Sequence, residues 1–222
     1  MVRPAAAGLV LGLALAVGAP AVWLATREPA AVGAPIEQTL PAPASPAPGP
    51  GLEPAPGDLP PVTTRAAAPA AVPAVPPPVT VAVPAAGVAA PVDAVGVRDD
   101  GQMAVPDDVE RVGWYRFGAA PGADGSAVLA GHVDDREQGL GVLAPLRETA
   151  IGTEVLVTDA AGAVTRWRVV SREVVEKEVL PLDRLFARAG PPRLVLVTCG
   201  GPFLPELGGY RDNVVVVADP AP

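Results

Sequence analysis

Sixteen of the chain's thirty prolines fall between residues 28 and 78. No other feature restricts the fold as strongly, because each proline fixes φ and removes a backbone donor that a helix or sheet would use. The rest of that segment is mostly alanine and small polar residues, with few large aliphatic side chains. Such a composition lacks the apolar area needed to offset the entropy of ordering, and it favours extended polyproline II. Residues 28–78 are therefore expected to form a disordered, semi-rigid stalk, spanning on the order of 100 Å where extended at about 3 Å per residue. Any compact fold has to be built outside it.

On the N-terminal side, residues 5–26 carry no charged side chain, with Arg3 before the run and Arg27 and Glu28 after it. About 20 apolar residues are enough to cross a bilayer as a helix. The basic N-terminal flank favours keeping that end in the cytoplasm. Residues 1–27 are read as a single-pass membrane anchor, with the remainder of the chain extracellular. A cleaved signal peptide is the rival reading, since Ala19-Pro20-Ala21 is a weak small-x-small site.

Residues 79–222 turn globular and have the length of one ordinary domain. They hold 20 acidic and 13 basic residues. A nucleic-acid footprint needs a basic patch, and none is visible. Strand-like runs dominate: 79–84, 126–132, 154–159, 165–177, 193–198 and 213–218. In the fourth, Thr165, Trp167 and Val169 alternate with Arg166 and Arg168, the period of a half-buried strand. The last two are continuous and apolar, so they belong inside the sheet. Helical material is sparse: residues 181–190 and, for a turn or two, residues 141–148. Many short strands without βαβ alternation indicate an all-β closed barrel or sandwich.

Three residues stand where strands begin or end. Cys199, the only cysteine, closes the run Leu194-Val195-Leu196-Val197-Thr198 and precedes Gly200-Gly201. His132, the only histidine, closes Ala127-Val128-Leu129-Ala130-Gly131, and Arg211 opens the last strand. If those strands are neighbours, the three side chains meet at one rim. A thiolate is a strong nucleophile and is favoured by nearby positive charge. A histidine can return a proton to a leaving amine, and an arginine can hold a developing oxyanion. Each residue also has a plain reading: a buried inert thiol, a hydrogen-bonded structural histidine, and an Arg211–Asp212 surface ion pair of little worth. One cysteine cannot form an internal disulfide, and one cysteine with one histidine falls short of the usual zinc sets.

The stretches Ala130-Gly131-His132-Val133-Asp134, Leu196-Val197-Thr198-Cys199 and Tyr210-Arg211-Asp212-Asn213, in this order, resemble the sortases, and among them most closely the actinobacterial group called class F. The likeness extends over residues 79–219. It implies a closed eight-stranded β-barrel with one or two short helices, and a cysteine transpeptidase. Carried onto this sequence, Cys199 is the nucleophile, His132 the general acid and base, and Arg211 the partner of the substrate carbonyl or oxyanion. Ala130, Thr198 and Gly200 are the expected substrate-binding neighbours. The resemblance implies that a Leu-Pro-x-Thr-Gly-type sorting signal is cleaved through a thioacyl enzyme and passed to a peptidoglycan-precursor amine. The expected partners are thus sorting-signal-bearing surface proteins and that amine, with no cofactor, metal or nucleic acid. Leu204-Pro205-Glu206-Leu207-Gly208 itself resembles a sorting signal and is read as a coincidence in a loop. Two other functions stay open at this point: a hydrolase on the same scaffold, and a non-catalytic binding module in which Cys199 is inert.

Overall fold

The computed structural model describes residues 31–42 and 75–222. Its strands in chain order are β1 (Ala31–Gly33), β2 (Pro78–Val83), β3 (Val88–Val95), β4 (Val112–Tyr115), β5 (Ser126–Ala130), β6 (Asp134–Asp135), β7 (Gly139–Leu140), β8 (Glu154–Asp159), β9 (Val164–Glu176), β10 (Arg193–Leu204) and β11 (Gly209–Pro220). The main sheet runs β1-β9-β11-β10-β5-β4-β3-β2-β8, and a further β8–β9 pairing closes it. Leaving aside the three-residue β1, the closed structure is an eight-stranded barrel. The pairs β3–β4 and β5–β10 are parallel, and all others are antiparallel.

The barrel interior follows from period-2 alternation. Leu194 and Leu196 of β10, with Val214, Val216 and Ala218 of β11, face inward against Leu129, Val81, Val157 and Trp167. Trp167 is the largest fully buried side chain, and its indole Nε1 donates to Thr165 Oγ1 at 3.0 Å. The intervening residues Val195, Val215 and Val217 point to the outer face of the same wall, where Val128 and Leu185 also lie. That wall is apolar on both sides, as the continuous runs require. Each fully buried Val or Leu stabilises the fold by about 1.5–3 kcal/mol.

What covers the outer face departs from expectation. Residues 31–42 lie inside the span read as stalk, yet they are docked on the barrel. The chain before β8 follows the edge of β9 as far as Val169, whose N–H donates to the Thr153 carbonyl and whose carbonyl accepts the Gly152 N–H. Beyond it β1 pairs with that edge at Ala31–Glu173, Val32–Arg172 and Gly33–Ser171. Gly33 has φ +94°, and a Cβ there would overlap the Val170 carbonyl oxygen, so only glycine fits. A one-turn helix, Ile36–Thr39, follows, and Ile36 and Leu40 are buried against Val128, Val195, Val215 and Val217. Polar contacts fix the strap: Ile36 N–H donates to Glu173 Oε1 at 3.1 Å, and Arg193 Nε donates to the Thr39 carbonyl at 2.7 Å. Two aliphatic side chains among prolines carry no periodic signal. Only the finished wall makes them worth burying. The rest of the expected stalk (43–74) and the expected anchor (1–27) lie outside the described residues. No helix among the described residues is long and apolar enough to cross a membrane.

The helix expected over 181–190 is a single turn, Leu182–Leu185. It stops because the following carbonyls are committed elsewhere: Ser126 N–H donates to the Ala187 carbonyl at 2.7 Å and Gly125 N–H to that of Gly190 at 2.9 Å. The other short piece is a 3-10 turn, Ala144–Glu148, which places Leu146 in the barrel core.

Candidate active site

Strands β5, β10 and β11 are consecutive in the sheet, with β10 in the middle. Cys199 lies opposite Asn213 of β11. It shares the outer face of β10 with Val195 and Val197, because Leu194 and Leu196 take the inner one. Arg211, two residues from Asn213, is on that same face, diagonal to Cys199 at a typical Cα spacing of about 7–8 Å. Val197 pairs with Ala130 of β5 in parallel register. His132 follows two residues later, just past the end of β5. The strand proper ends at Ala130, but the alignment persists: Gly131 N–H donates to the Val197 carbonyl at 3.1 Å. The topology therefore puts Cys199 and Arg211 on one face of adjacent strands and brings the chain that carries His132 alongside β10. Cys199 and His132 are half-buried, and Arg211 is exposed.

Of the three neighbouring residues, Ala130 is half-buried, and its parity gives it the outer face. Thr198 and Gly200 are buried. Thr198 is turned inward, and its hydroxyl donates to the Gly131 carbonyl at 2.9 Å. A Cβ at Gly200 would stand 2.7 Å from Val214 Cγ2, so strand packing alone demands glycine there.

Arg211 is held by its own neighbour. Its Nε donates to Asp212 Oδ1 at 2.6 Å and its Nη2 to Oδ2 at 3.0 Å, while Glu176 Oε1 lies 3.6 Å from Nη1. The hydrogen bond to Asp212 pushes the guanidinium pKa further up, although desolvation opposes it. The charge is permanent on this face. A surface ion pair, the plain reading of these two residues, describes only half of the pair, since the Asp212 side chain is 5% exposed.

A family model described as the sortase domain matches residues 81–221, the barrel from β2 to the last strand. The chain belongs to the sortase family. No curated protein matches it in sequence. Among solved structures it is similar to sortase C-1 from Actinomyces oris, with a TM-score of 0.50 and 21% identity over 64% of this chain and 73% of that one. It is likewise similar to sortase C1 from Streptococcus suis, with a TM-score of 0.50 and 18% identity over 66% of this chain and 74% of that one. These likenesses are of fold. Sortases are cysteine transpeptidases that join sorting-signal proteins to cell-wall amines.

In this sortase the loop after His132 is tied to the hairpin after Cys199. The Tyr210 hydroxyl donates to Asp134 Oδ2, which pushes the phenol pKa up. Tyr210 also meets Phe203 edge-to-face at 5.4 Å between centroids. Within the His132 loop, Asp135 Oδ1 accepts the N–H groups of Glu137 at 2.8 Å and Gln138 at 3.0 Å, and these bonds hold its carboxyl below the usual range. Gly141 closes the loop onto His132, whose carbonyl oxygen a Cβ there would overlap. Reading the chain pairs Asp212 with Arg211 only as an exposed ion pair, and it does not single out Asp134 or Tyr210. Their only signal is adjacency to Arg211 and His132, which does not reveal a partner. The sorting-signal-like stretch is a folded hairpin tip, with Leu204 paired to Gly209 and a 3-10 turn at Pro205–Leu207.

Proposed function

We propose that this sortase is a membrane-anchored extracellular transpeptidase, of the class F kind, acting on a Leu-Pro-x-Thr-Gly-type signal. What supports this reading is the β5–β10–β11 order: Cys199 and Arg211 stand on the outer face of neighbouring strands, and the chain that leaves β5 beside them carries His132. Cys199 Sγ attacks the threonine carbonyl carbon, and Arg211 donates to the oxygen on which charge develops. His132 delivers a proton to the departing glycine nitrogen as the C–N bond breaks, leaving a thioester on Cys199. A cell-wall amine then attacks the thioester. His132 takes the amine's proton, and the thiolate leaves with a new amide formed. Ala130 and Val197 offer the apolar wall beside the thiol along which the leucine and proline would lie. Thr198 and Gly200 act beneath it, one tying Gly131 and the other letting β11 pack.

Anchoring through residues 1–27 has a consequence once the strap is included. Only residues 28–30 separate the end of the anchor from β1, and three extended residues reach about 10 Å. In chain order the 43–74 segment then follows the strap and does not lie between the anchor and β1.

The reading is tested with full-length protein in detergent, a Leu-Pro-x-Thr-Gly peptide and intact-mass spectrometry. An acyl adduct on Cys199, absent from Cys199→Ala and chased by an added amine, is the expected result. No adduct, together with a thiol inert to iodoacetamide in the folded protein, would overturn it in favour of a binding module.

A further inference from the structure

Successive side chains of a strand point to opposite faces, so Arg211 and Asp212 should not meet. They do: the guanidinium makes a two-pronged contact with the carboxylate. The partners sit in unlike surroundings: the Arg211 side chain is 46% exposed and that of Asp212 only 5%. A carboxylate buried to that degree is costly unless it is paired and hydrogen-bonded.

Across the sheet, the opposite strand is shaped around the same carboxylate. Gly200 pairs with Asp212, and the register breaks between Gly200 and Phe203. Gly201 stands in that break with φ +69°, and a Cβ on it would lie 2.5 Å from Asp212 Cγ and overlap Oδ2. The second glycine after the cysteine is thus needed twice, for its backbone angle and for the room it leaves.

We propose that Asp212 is a positioning residue for the sortase reaction, holding the Arg211 guanidinium in one orientation on the Cys199 face, with Gly201 providing the space for its carboxylate. The inference rests on the proposed role of Arg211. Donor arithmetic allows it: of the five guanidinium N–H groups, two go to Asp212, and Glu176 at 3.6 Å is beyond hydrogen-bond reach. Three remain for a substrate oxygen. Without the carboxylate a long, exposed arginine samples many rotamers, and a donor that must be ordered during the reaction stabilises the oxyanion less.

The test uses full-length protein carrying Asp212→Asn, Gly201→Ala or Arg211→Ala, and the first two again in the Arg211→Ala background. Acyl-adduct formation is followed against peptide concentration, and iodoacetamide alkylation reports whether the site is folded. Loss of orientation should lower the maximal acylation rate about 10- to 100-fold in both single variants. The half-saturating peptide concentration and the alkylation rate should stay nearly constant. In the Arg211→Ala background, Asp212→Asn should have almost no further effect, because coupled residues are non-additive. Full additivity, an unchanged rate, or a faster reaction in Asp212→Asn overturns the proposal, the last by showing that Asp212 competes with substrate. If wild-type protein forms no adduct, the transpeptidase reading fails separately. The orientation is then read from the Arg211 Nε–H resonance: slower exchange in wild type than in both variants supports the pairing, and equal exchange sinks it.

Discussion

Thr198 Oγ1 donates to the Gly131 carbonyl at 2.9 Å, joining residues 67 positions apart in the chain. The bond lies one residue before both Cys199 and His132. It therefore sets the relative height of the two chain segments that carry the thiol and the imidazole. Because Thr198 is buried and faces inward, this work is done from behind the face that carries Cys199.

Thr198→Val keeps the side-chain shape and strands the Gly131 carbonyl. An unsatisfied buried acceptor costs about 1–3 kcal/mol. Denaturant unfolding should show a destabilisation of that order, and acylation of Cys199 should slow. Wild-type stability in the variant would mean that water replaces the hydroxyl.

Arg211→Lys separates charge from geometry. A lysine retains the positive charge but cannot make the two-pronged contact with Asp212. Single-turnover acylation should fall by about 10²–10³, close to the loss expected for a missing oxyanion donor. A rate near wild type would show that charge alone suffices.

Ile36→Asp should release the strap. The site is fully buried on the outer wall, and removing a large aliphatic side chain from such a site costs about 2–5 kcal/mol. Hydrogen exchange should then accelerate at Ile36, Leu40 and the β9 amides that pair with β1, while the barrel interior stays protected. In membranes, fluorescence transfer between a barrel label and the lipid surface should fall as the tether lengthens. No change in transfer would place the barrel independently of the strap.

Docking of the strap should depend on pH through Glu173. Burial pushes this carboxyl up, the hydrogen bond from Ile36 opposes the shift, and Glu37 adds to it. A raised acid pKa in the docked state means that docking binds a proton. The contribution is complete below the ordinary glutamate range and is lost as pH rises through the raised value. Exchange at Ile36 and Leu40 should therefore quicken across that window, and Glu173→Gln should flatten the profile. A profile unchanged by the substitution would assign the dependence to another group.

Much of the barrel was legible because β10 and β11 are unbroken apolar runs and β9 alternates. β3 was not, because its inward Val88, Ala90 and Val92 are separated by Ala89 and Pro91, which blur the alternation. β4 is four residues long, too short for a periodic signal. Cys199, His132 and Arg211 were visible beside apolar runs, but they were read as strand ends, whereas β10 continues past Cys199 to Leu204 and β11 begins before Arg211 at Gly209. The hairpin that extends both strands is rich in glycine and proline and carries no strand signal, and Tyr210 looks like an ordinary neighbour until Asp134 is in place.

By itself the sequence determined the alternation that curls a β-rich domain around an apolar interior, and the thiol, imidazole and guanidinium placed beside its apolar runs. Those are local properties, carried by residues one or two apart. Tertiary structure alone decided that residues 31–42 belong to the barrel, that the Asp212 carboxylate is buried against Gly201, and that Thr198 reaches Gly131. Each of these depends on atoms distant in the chain meeting at contact distance, and a side chain's worth in such a contact is set by the surface that receives it.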